Sequence, residues 1–149
     1  MSDESDRVNM ASEYYVMSML YRKGLTPNLT LGNKKAIDIV LLKNSKYLTI
    51  DVKGSTGKND PFVNKVNVAD NHFYIFVLYE KYFDDPYSLP SIYIVPSNDL
   101  ESLVKNNERG KNIKVARYSK LVKQGQKYKD NWDVLLKYIP VGYSECFIS

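Results

Sequence analysis

Two aspartates and a lysine whose chemistry could serve a reaction lie within two largely apolar segments of this chain. Asp38 lies in AIDIVLLK, and Asp51 and Lys53 lie in KYLTIDVKG, the next segment along the chain. Carboxylates are the ligands that Mg²⁺ prefers, and an ammonium group beside a bound metal can contact a reacting water or a phosphate. The apolar and β-branched content of both segments predicts two strands, over residues 36–43 and 46–53.

The turn between these strands determines which residues face each other. A two-residue and a four-residue loop about positions 44 and 45 give the same register, in which Asp38 lies opposite Asp51. Opposed residues share one sheet face with Cβ atoms about 5 Å apart, and Lys53 joins that face because strand side chains alternate. Two opposed carboxylates repel unless positive charge lies between them. The register therefore predicts a divalent-cation site with an ammonium group beside it.

An ordinary interpretation of the same residues stays open. Polar and apolar residues alternate in KYLTIDVKG, and that alternation is also typical of a strand with one solvated face. A single D-x-K triplet is therefore weak evidence for a site. The predicted position of Asp38 across from Asp51 is what strengthens the case.

Length and composition predict one globular domain over residues 1–149, with residues 1–8 as a flexible tail. The single Cys and the single His exclude an internal disulfide, a cysteine-based zinc cluster and a histidine-rich metal site. No window approaches the roughly 18 apolar residues of a membrane span, and the polar start MSDESDRVN does not resemble a signal peptide. We therefore expect a cytoplasmic protein with no membrane partner.

The charge is distributed unevenly along the chain. The net charge is +4, yet residues 105–137 hold ten Lys or Arg against three acids, so this segment carries +7 and the remainder −3. A basic face of this kind suits phosphate binding. A solvated lysine surface is the alternative interpretation.

The remaining patterns predict helices around a sheet. A helix is predicted from about residue 10 to 23, strands over 72–79 and 91–95, and a final helix in DNWDVLLKY. The face of the first helix predicted to be buried carries Val16, Met17, Leu20 and Tyr21. The final helix is predicted to bury Trp132, Leu135 and Leu136. This order of elements predicts an α/β domain with a mixed sheet flanked by helices.

The order Glu13 on a helix, Asp38 in a strand and Asp51-Val52-Lys53 in the next strand resembles the PD-(D/E)XK nuclease superfamily. The likeness is greatest to its archaeal Holliday junction resolvase-like and restriction endonuclease-like members, and it covers residues 10–55. The chain departs from the pattern in three respects, one of which is that no glutamine follows Lys53 at helical spacing. Isoleucine rather than proline precedes Asp38, and FVNKVNVADN is a poor candidate for the core helix that usually follows the D-x-K strand.

The resemblance implies a restriction endonuclease-like fold and a Mg²⁺- or Mn²⁺-dependent endonuclease that acts on nucleic acid, with DNA favoured over RNA. It implies that Asp38, Asp51 and the backbone carbonyl of Val52 bind the metal. Lys53 would orient the attacking water or stabilise the phosphorane, and Glu13 would approach from the helix as a further catalytic residue, binding metal directly or through water. It also implies a homodimer.

Five polar residues flank these positions in sequence and are predicted to contact phosphates: Lys34, Lys35, Ser55, Thr56 and Lys58. Two other functions stay open at this point. The chain could be a non-catalytic nucleic-acid-binding module on the same fold, or a protein-interaction module whose basic segment binds an acidic partner. Metal affinity and the salt dependence of DNA binding discriminate among the three.

Overall fold

In the computed structural model of the protein, residues 3–30, 37–43, 45–106 and 114–138 are described. The helices are α1 (Asp3–Arg22), α2 (Tyr118–Gln124) and α3 (Asp133–Tyr138), with 3₁₀ helices over Ser97–Leu103 and Gln126–Tyr128. The strands are β1 (Pro27–Leu29), β2 (Ile39–Lys43), β3 (Lys46–Thr56), β4 (Phe62–Asn64), β5 (His72–Tyr79), β6 (Ser91–Pro96), β7 (Val104–Asn106) and β8 (Lys114–Ala116). None of the described helices is both long and apolar enough to cross a membrane.

The central sheet contains five strands in the order β1-β2-β3-β5-β6. Strands β3 and β5 pair in parallel, and the other neighbours pair antiparallel, so the sheet is mixed. Strand β5 is buried along its whole length, as its unbroken aromatic and β-branched sequence predicts. Strands β4, β8 and β7 form a second, antiparallel sheet. The predicted fold class, a mixed sheet flanked by helices, is confirmed.

The register of the hairpin formed by β2 and β3 agrees with the sequence-based prediction. Lys43 pairs with Lys46 next to the turn, and Ile39 pairs with Ile50 at the far end of β2. Strand β3 continues beyond the hairpin to Thr56, three residues further than predicted, because its second half pairs with β5.

The helical face of the central sheet is the face covered by α1 and α3. Val16 and Leu20 of α1 and Leu135 of α3 pack there in one cluster with Ile50 and Val52 of β3. Trp132 is also buried in this cluster, whereas Leu136, predicted to be buried, is only partly so.

The opposite face of the central sheet carries a separate core. Tyr74 and Phe76 of β5 pack there against Leu100, Ala116 and Leu121, which belong to the first 3₁₀ helix, β8 and α2. The central sheet therefore lies between a layer of two helices and a layer formed by the small sheet, α2 and the 3₁₀ helices.

The helix α1 differs from its prediction in where it begins and in which of its residues are buried. It begins at Asp3, so residues 3–8, predicted to be a flexible tail, belong to the helix. Its buried positions include Val8, Ser12, Val16 and Leu20 at intervals of four. Two of the four residues predicted to share the buried face do not belong to it. Met17 is only partly buried, and Tyr21 is 55% exposed.

The segment between β3 and β5 contains β4 but no helix. The departure from the superfamily pattern noted in the sequence is therefore also present in the fold. The chain between the parallel strands β3 and β5 instead passes through β4, a strand of the second sheet.

Gly54 permits the close approach of α1 to β3. A Cβ atom added there would lie 2.2 Å from Ser12 Oγ and 3.1 Å from both Ser12 Cβ and Val8 Cγ1. Ser12 is itself held, because its hydroxyl donates a hydrogen bond to the carbonyl oxygen of Val8 at 2.7 Å. Any side chain at position 54 must therefore displace the helix or the serine.

We expect Gly54→Ala to lower the free energy of unfolding by about 1–3 kcal/mol, because it overpacks this contact. Urea denaturation measures the change. Ser12→Ala removes the Oγ atom that clashes most. Gly54→Ala should therefore lower the free energy of unfolding by less in a Ser12→Ala background than in the wild type. Equal stability of wild type and Gly54→Ala would contradict this account of the contact.

Candidate active site

The divergence of β2 from β3 positions Asp38. Its backbone N–H still donates to the carbonyl oxygen of Ile50 at 3.1 Å, but regular pairing of the two strands stops at Ile39. Beyond this point β2 offers no backbone acceptor to the Val52 N–H. The Asp38 side chain takes that place, and its Oδ2 accepts a hydrogen bond from the Val52 N–H at 2.7 Å. Thr30, just after β1, donates its backbone N–H to the Asp38 carbonyl oxygen at 2.8 Å. The Asp38 backbone is thus held from both sides, by Thr30 and by Ile50, and the Val52 N–H holds its carboxylate.

Asp51 and Lys53 project from the face of β3 opposite to α1. Gly54 faces α1, so the odd-numbered neighbours face away from it. Both aspartates are 7% exposed, and the Asp38 carboxyl group lies close enough to Asp51 to raise its pKa. Lys53 Nζ lies 3.6 Å from Asp51 Oδ2. The structure therefore brings together the three residues that the sequence placed on one face.

The environment raises the pKa of Asp51 from 3.8 to about 7. Burial is the largest cause, because it disfavours the charged carboxylate. The Lys53 ammonium lowers this pKa, whereas the hydrogen bond to Asp38 and the charge of that carboxylate raise it further. One nearby lysine does not compensate for two buried carboxylates, so the pair favours additional positive charge.

The donor atoms at this position suit a small divalent cation. The backbone N–H and C=O of a strand residue point to the same side, so the Val52 carbonyl points toward the same opening beside β2 as the N–H bonded to Asp38. Across residues 3–30, 37–43, 45–106 and 114–138, no group of three or more His, Cys, Asp or Glu side chains could hold a metal. Two carboxylates and a carbonyl nevertheless fit Mg²⁺, which is commonly bound through one or two carboxylates and keeps several waters.

Glu13 lies in a different layer from the aspartate pair. It is only 4% exposed, so it is not the solvent-facing residue that is usual early in a helix. It follows Ser12, which contacts Gly54 on the helical face, whereas Asp51 projects from the other face.

The predicted phosphate-contact residues have different surroundings. Lys34 and Lys35 lie outside the described residues. Ser55 is buried, and its hydroxyl has no hydrogen-bond partner among the residues that the structure describes, whereas Thr56 is partly exposed and Lys58 is exposed. The structure thus presents Thr56 and Lys58 to a ligand more readily than Ser55.

A cavity of about 470 Å³ lies beside the end of β3 and the first turns of α1. Ser55 and Thr56 line it, but so do the acidic residues Glu4 and Asp60. Their negative charge opposes the binding of a phosphate. We therefore do not assign the cavity to phosphate binding.

Two residues near the pair were not assigned to the site from the sequence. His72 and Tyr74 pair in register with Thr49 and Asp51, so they share the face that carries the carboxyl groups. His72 Nδ1 lies 2.7 Å from the Thr49 hydroxyl oxygen, and burial together with the charge of Lys53 lowers the pKa of its ring. The parallel register between β3 and β5 creates this proximity, and no local sequence signal encodes that register.

No protein-family model and no curated protein matches the sequence. Among solved structures, the chain is similar to the bacterial homing endonuclease I-Ssp6803I, with a TM-score of 0.57 and 17% sequence identity. The match covers 97% of this chain and 99% of that chain. The two proteins therefore share a fold over nearly their whole lengths.

The raised pKa of Asp51 predicts a specific dependence of stability on pH. Between pH 3.8 and about 7 the folded protein retains a proton on Asp51 that the unfolded chain has lost. Without divalent cations, the free energy of unfolding should therefore fall as pH rises through this window, by an amount on the order of a few kcal/mol. Urea titrations across this range measure it.

Asp51→Asn should remove this decrease, because a neutral amide replaces the group that loses its proton. The variant should accordingly be more stable than wild type at pH 8. Asp84→Asn, at an exposed acid in the loop after β5, is the matched control and should leave the pH dependence unchanged. The account would be contradicted if, from pH 5 to pH 8, the free energy of unfolding rose more in the wild type than in Asp51→Asn.

Proposed function

We propose that this chain is a Mg²⁺- or Mn²⁺-dependent endonuclease of the PD-(D/E)XK type that hydrolyses phosphodiester bonds of DNA. The observation that carries the proposal is the buried pair Asp38 and Asp51, in which Asp38 raises the pKa of Asp51, with Lys53 Nζ 3.6 Å from Asp51 Oδ2. The register between β2 and β3 is the one that the turn about residues 44 and 45 predicts. The shared fold with a homing endonuclease adds support.

Asp38, Asp51 and the Val52 carbonyl are the groups that would hold the ion. When bound, a divalent cation lowers the pKa of a coordinated water and neutralises charge that develops on the phosphate. Asp38 would be held in position by the Val52 N–H, so it could bind without reorganising. The deprotonated form of Asp51 is the form that can act as a ligand.

Lys53 is proposed to orient the attacking water and stabilise the phosphorane. The water oxygen forms a bond to phosphorus, one ester P–O bond breaks, and the departing oxygen takes up a proton. The ion pair with Asp51 holds the ammonium group on the face of β3 from which Asp51 projects. Glu13 is proposed to assist from α1 through the opening beside β2.

The basic segment is proposed to form the DNA-binding surface. Most of its described part builds β7, β8, α2 and the second 3₁₀ helix, which lie on the same side of the central sheet as Asp51 and Lys53, whereas α3 lies on the helical face. Exposed basic residues in that layer include Lys105, Arg117, Lys123, Lys127 and Lys129. Phosphates contacted by this layer would therefore lie on the side of the molecule where the carboxyl groups project.

Cleavage of a nucleic-acid panel tests the proposal. Supercoiled, linear, single-stranded and four-way-junction DNA, with a matched RNA, are incubated with Mg²⁺, Mn²⁺ or EDTA. We expect metal-dependent cleavage of DNA that falls by at least about 100-fold in Asp51→Asn and in Lys53→Ala. Lys53→Arg keeps the charge with a different geometry, and Asp84→Asn is the control for loss of an acid elsewhere.

Each result of this panel has a distinct meaning. Cleavage that survives Asp51→Asn would contradict the site, and cleavage of RNA alone would correct the substrate. Salt-sensitive DNA binding without cleavage by any preparation would identify a non-catalytic binding module. The absence of both binding and cleavage would favour a protein-interaction module.

The salt dependence of DNA binding tests the proposed surface separately. Neutralising one phosphate-contacting lysine should reduce the slope of log K against log salt by about 0.9. We expect this reduction for Lys123→Gln, which lies on α2. The control Lys137→Gln removes an exposed lysine of the same basic segment, but from α3 on the helical face, and should leave the slope unchanged. Equal effects of both variants would contradict a one-sided binding surface.

A further inference from the structure

Two exposed apolar side chains lie side by side at the tip of the hairpin formed by β2 and β3. Leu42 is 64% exposed and Tyr47 is 53% exposed, and the two residues are direct partners in the register of the strands. Partners in an antiparallel pair project from the same face of the sheet. Neither belongs to either of the two cores formed by the described residues, so intramolecular packing does not account for the pair. We call this pair the hairpin shelf.

The hairpin shelf lies on the same face of the sheet as the candidate active site. The pairing of β3 with β2 and β5 continues without a shift along the strand, so Tyr47 projects from the same face as Asp51 and Lys53. Tyr47 lies four positions before Asp51, which corresponds to about 13 Å at the rise of a strand. Stacked nucleotides advance by about 3.4 Å each. A nucleic-acid strand held at Asp51 therefore reaches the shelf within about four nucleotides.

The strand that carries Tyr47 holds the hairpin shelf in place. The Tyr47 backbone pairs with β2, and its carbonyl oxygen also accepts a hydrogen bond from Asn71 Nδ2 at 3.4 Å. Because a tyrosine side chain has only two torsion angles, it loses little conformational entropy when a ligand covers its ring. An aromatic ring presented in this way stacks on nucleobases of any sequence. The hairpin shelf is therefore suited to a planar ligand.

The charge around the hairpin shelf favours an anionic ligand. The described residues of 39–50 contain two lysines, Lys43 and Lys46, and no acid. These lysines project from the opposite face next to the turn, but their charge acts on the shelf because screening at physiological salt extends over about 8 Å. Asp70 lies in the segment before β5, and its carboxylate accepts a hydrogen bond from Asn98 Nδ2 at 3.1 Å, so it is turned toward the first 3₁₀ helix. A planar, anionic ligand that reaches both the shelf and the carboxyl pair is a nucleic-acid strand.

We propose that the hairpin shelf stacks on an unpaired nucleobase of the nucleic acid, close to the phosphodiester bond at the candidate active site. An internal base of a duplex has neighbours on both faces, so only a nucleotide outside the duplex can stack on Tyr47. The shelf therefore selects a substrate with unpaired nucleotides beside the bond that is cut. This inference rests on the proposed function for the identity of the site, but its claim about stacking concerns binding and does not require cleavage.

Binding to DNA in EDTA, where no metal-dependent cleavage intervenes, tests the hairpin shelf. Fluorescence anisotropy compares a single strand of about 12 nucleotides with the blunt duplex of the same sequence. We expect Tyr47→Ala to weaken binding of the single strand by about 5- to 100-fold, because it removes one stacking contact, and to change binding of the duplex by less than about 2-fold. Tyr47→Phe keeps the ring and should bind like the wild type. Tyr87→Ala is the matched control, since Tyr87 is 93% exposed in the loop between β5 and β6.

A fluorescent base tests the stacking directly. The emission of the adenine analogue 2-aminopurine falls when it stacks on an aromatic ring, so a duplex with one unpaired 2-aminopurine is compared with a duplex in which the same base is paired. We expect the wild type to quench the unpaired base on binding and to leave the paired base unchanged. Tyr47→Ala should lose this quenching, and Tyr47→Phe should retain it. Circular dichroism establishes that each variant is folded.

Two results would overturn the stacking while leaving the endonuclease assignment intact. The first is a single-strand affinity that is the same in Tyr47→Ala as in the wild type, and the second is an equal loss of affinity for single strand and duplex. Binding that requires Tyr47, without cleavage by any preparation, would support the stacking and remove only the endonuclease assignment. A wild type that binds no nucleic acid at all would overturn both.

Discussion

The enforced proximity of two buried carboxyl groups is the constraint on which the proposed site depends. Regular pairing of β2 with β3 ends at Ile39 and Ile50, and the next residue, Asp38, donates its backbone N–H to the Ile50 carbonyl oxygen. The Asp38 carboxylate accepts a hydrogen bond from the Val52 N–H in place of a strand carbonyl, and this bond holds it beside Asp51. Burial and this proximity raise the pKa of Asp51, and Lys53 offsets only part of the effect. A bound divalent cation would relieve the repulsion and would also supply the proposed chemistry.

The two faces of the central sheet have separate roles in this account. On the helical face, Gly54 lets α1 approach β3 closely. On the other face, the carboxyl groups project toward the side that carries α2 and the small sheet with their exposed lysines. The alternation of side chains along β3 separates these roles within a few residues, since Lys53 and Gly54 are neighbours that face opposite ways.

Local sequence rules predicted the hairpin well because its register depends on one short turn and on strict alternation. They also predicted β5, whose continuous apolar sequence is typical of a strand buried on both faces. They did not predict the start of α1, where an acidic segment that resembles a tail is favoured by the helix dipole. They also misplaced Tyr21, because a helix with apolar residues on two sides gives no unique buried face. The position of His72 beside the carboxyl face depends on the parallel pairing of β3 with β5, which is set by tertiary packing.

Thermal unfolding at pH 8 with and without Mn²⁺ is the most direct measurement of the central claim, because it reports metal binding whether or not the protein cleaves anything. If the aspartate pair holds the ion, Mn²⁺ in large excess over its dissociation constant should raise the Tm of the wild type by about 5 °C or more. Asp51→Asn should show little increase, and Asp84→Asn should respond like the wild type. An equal increase in Asp51→Asn, or no increase in the wild type, would contradict the claim that Asp38 and Asp51 form a metal site.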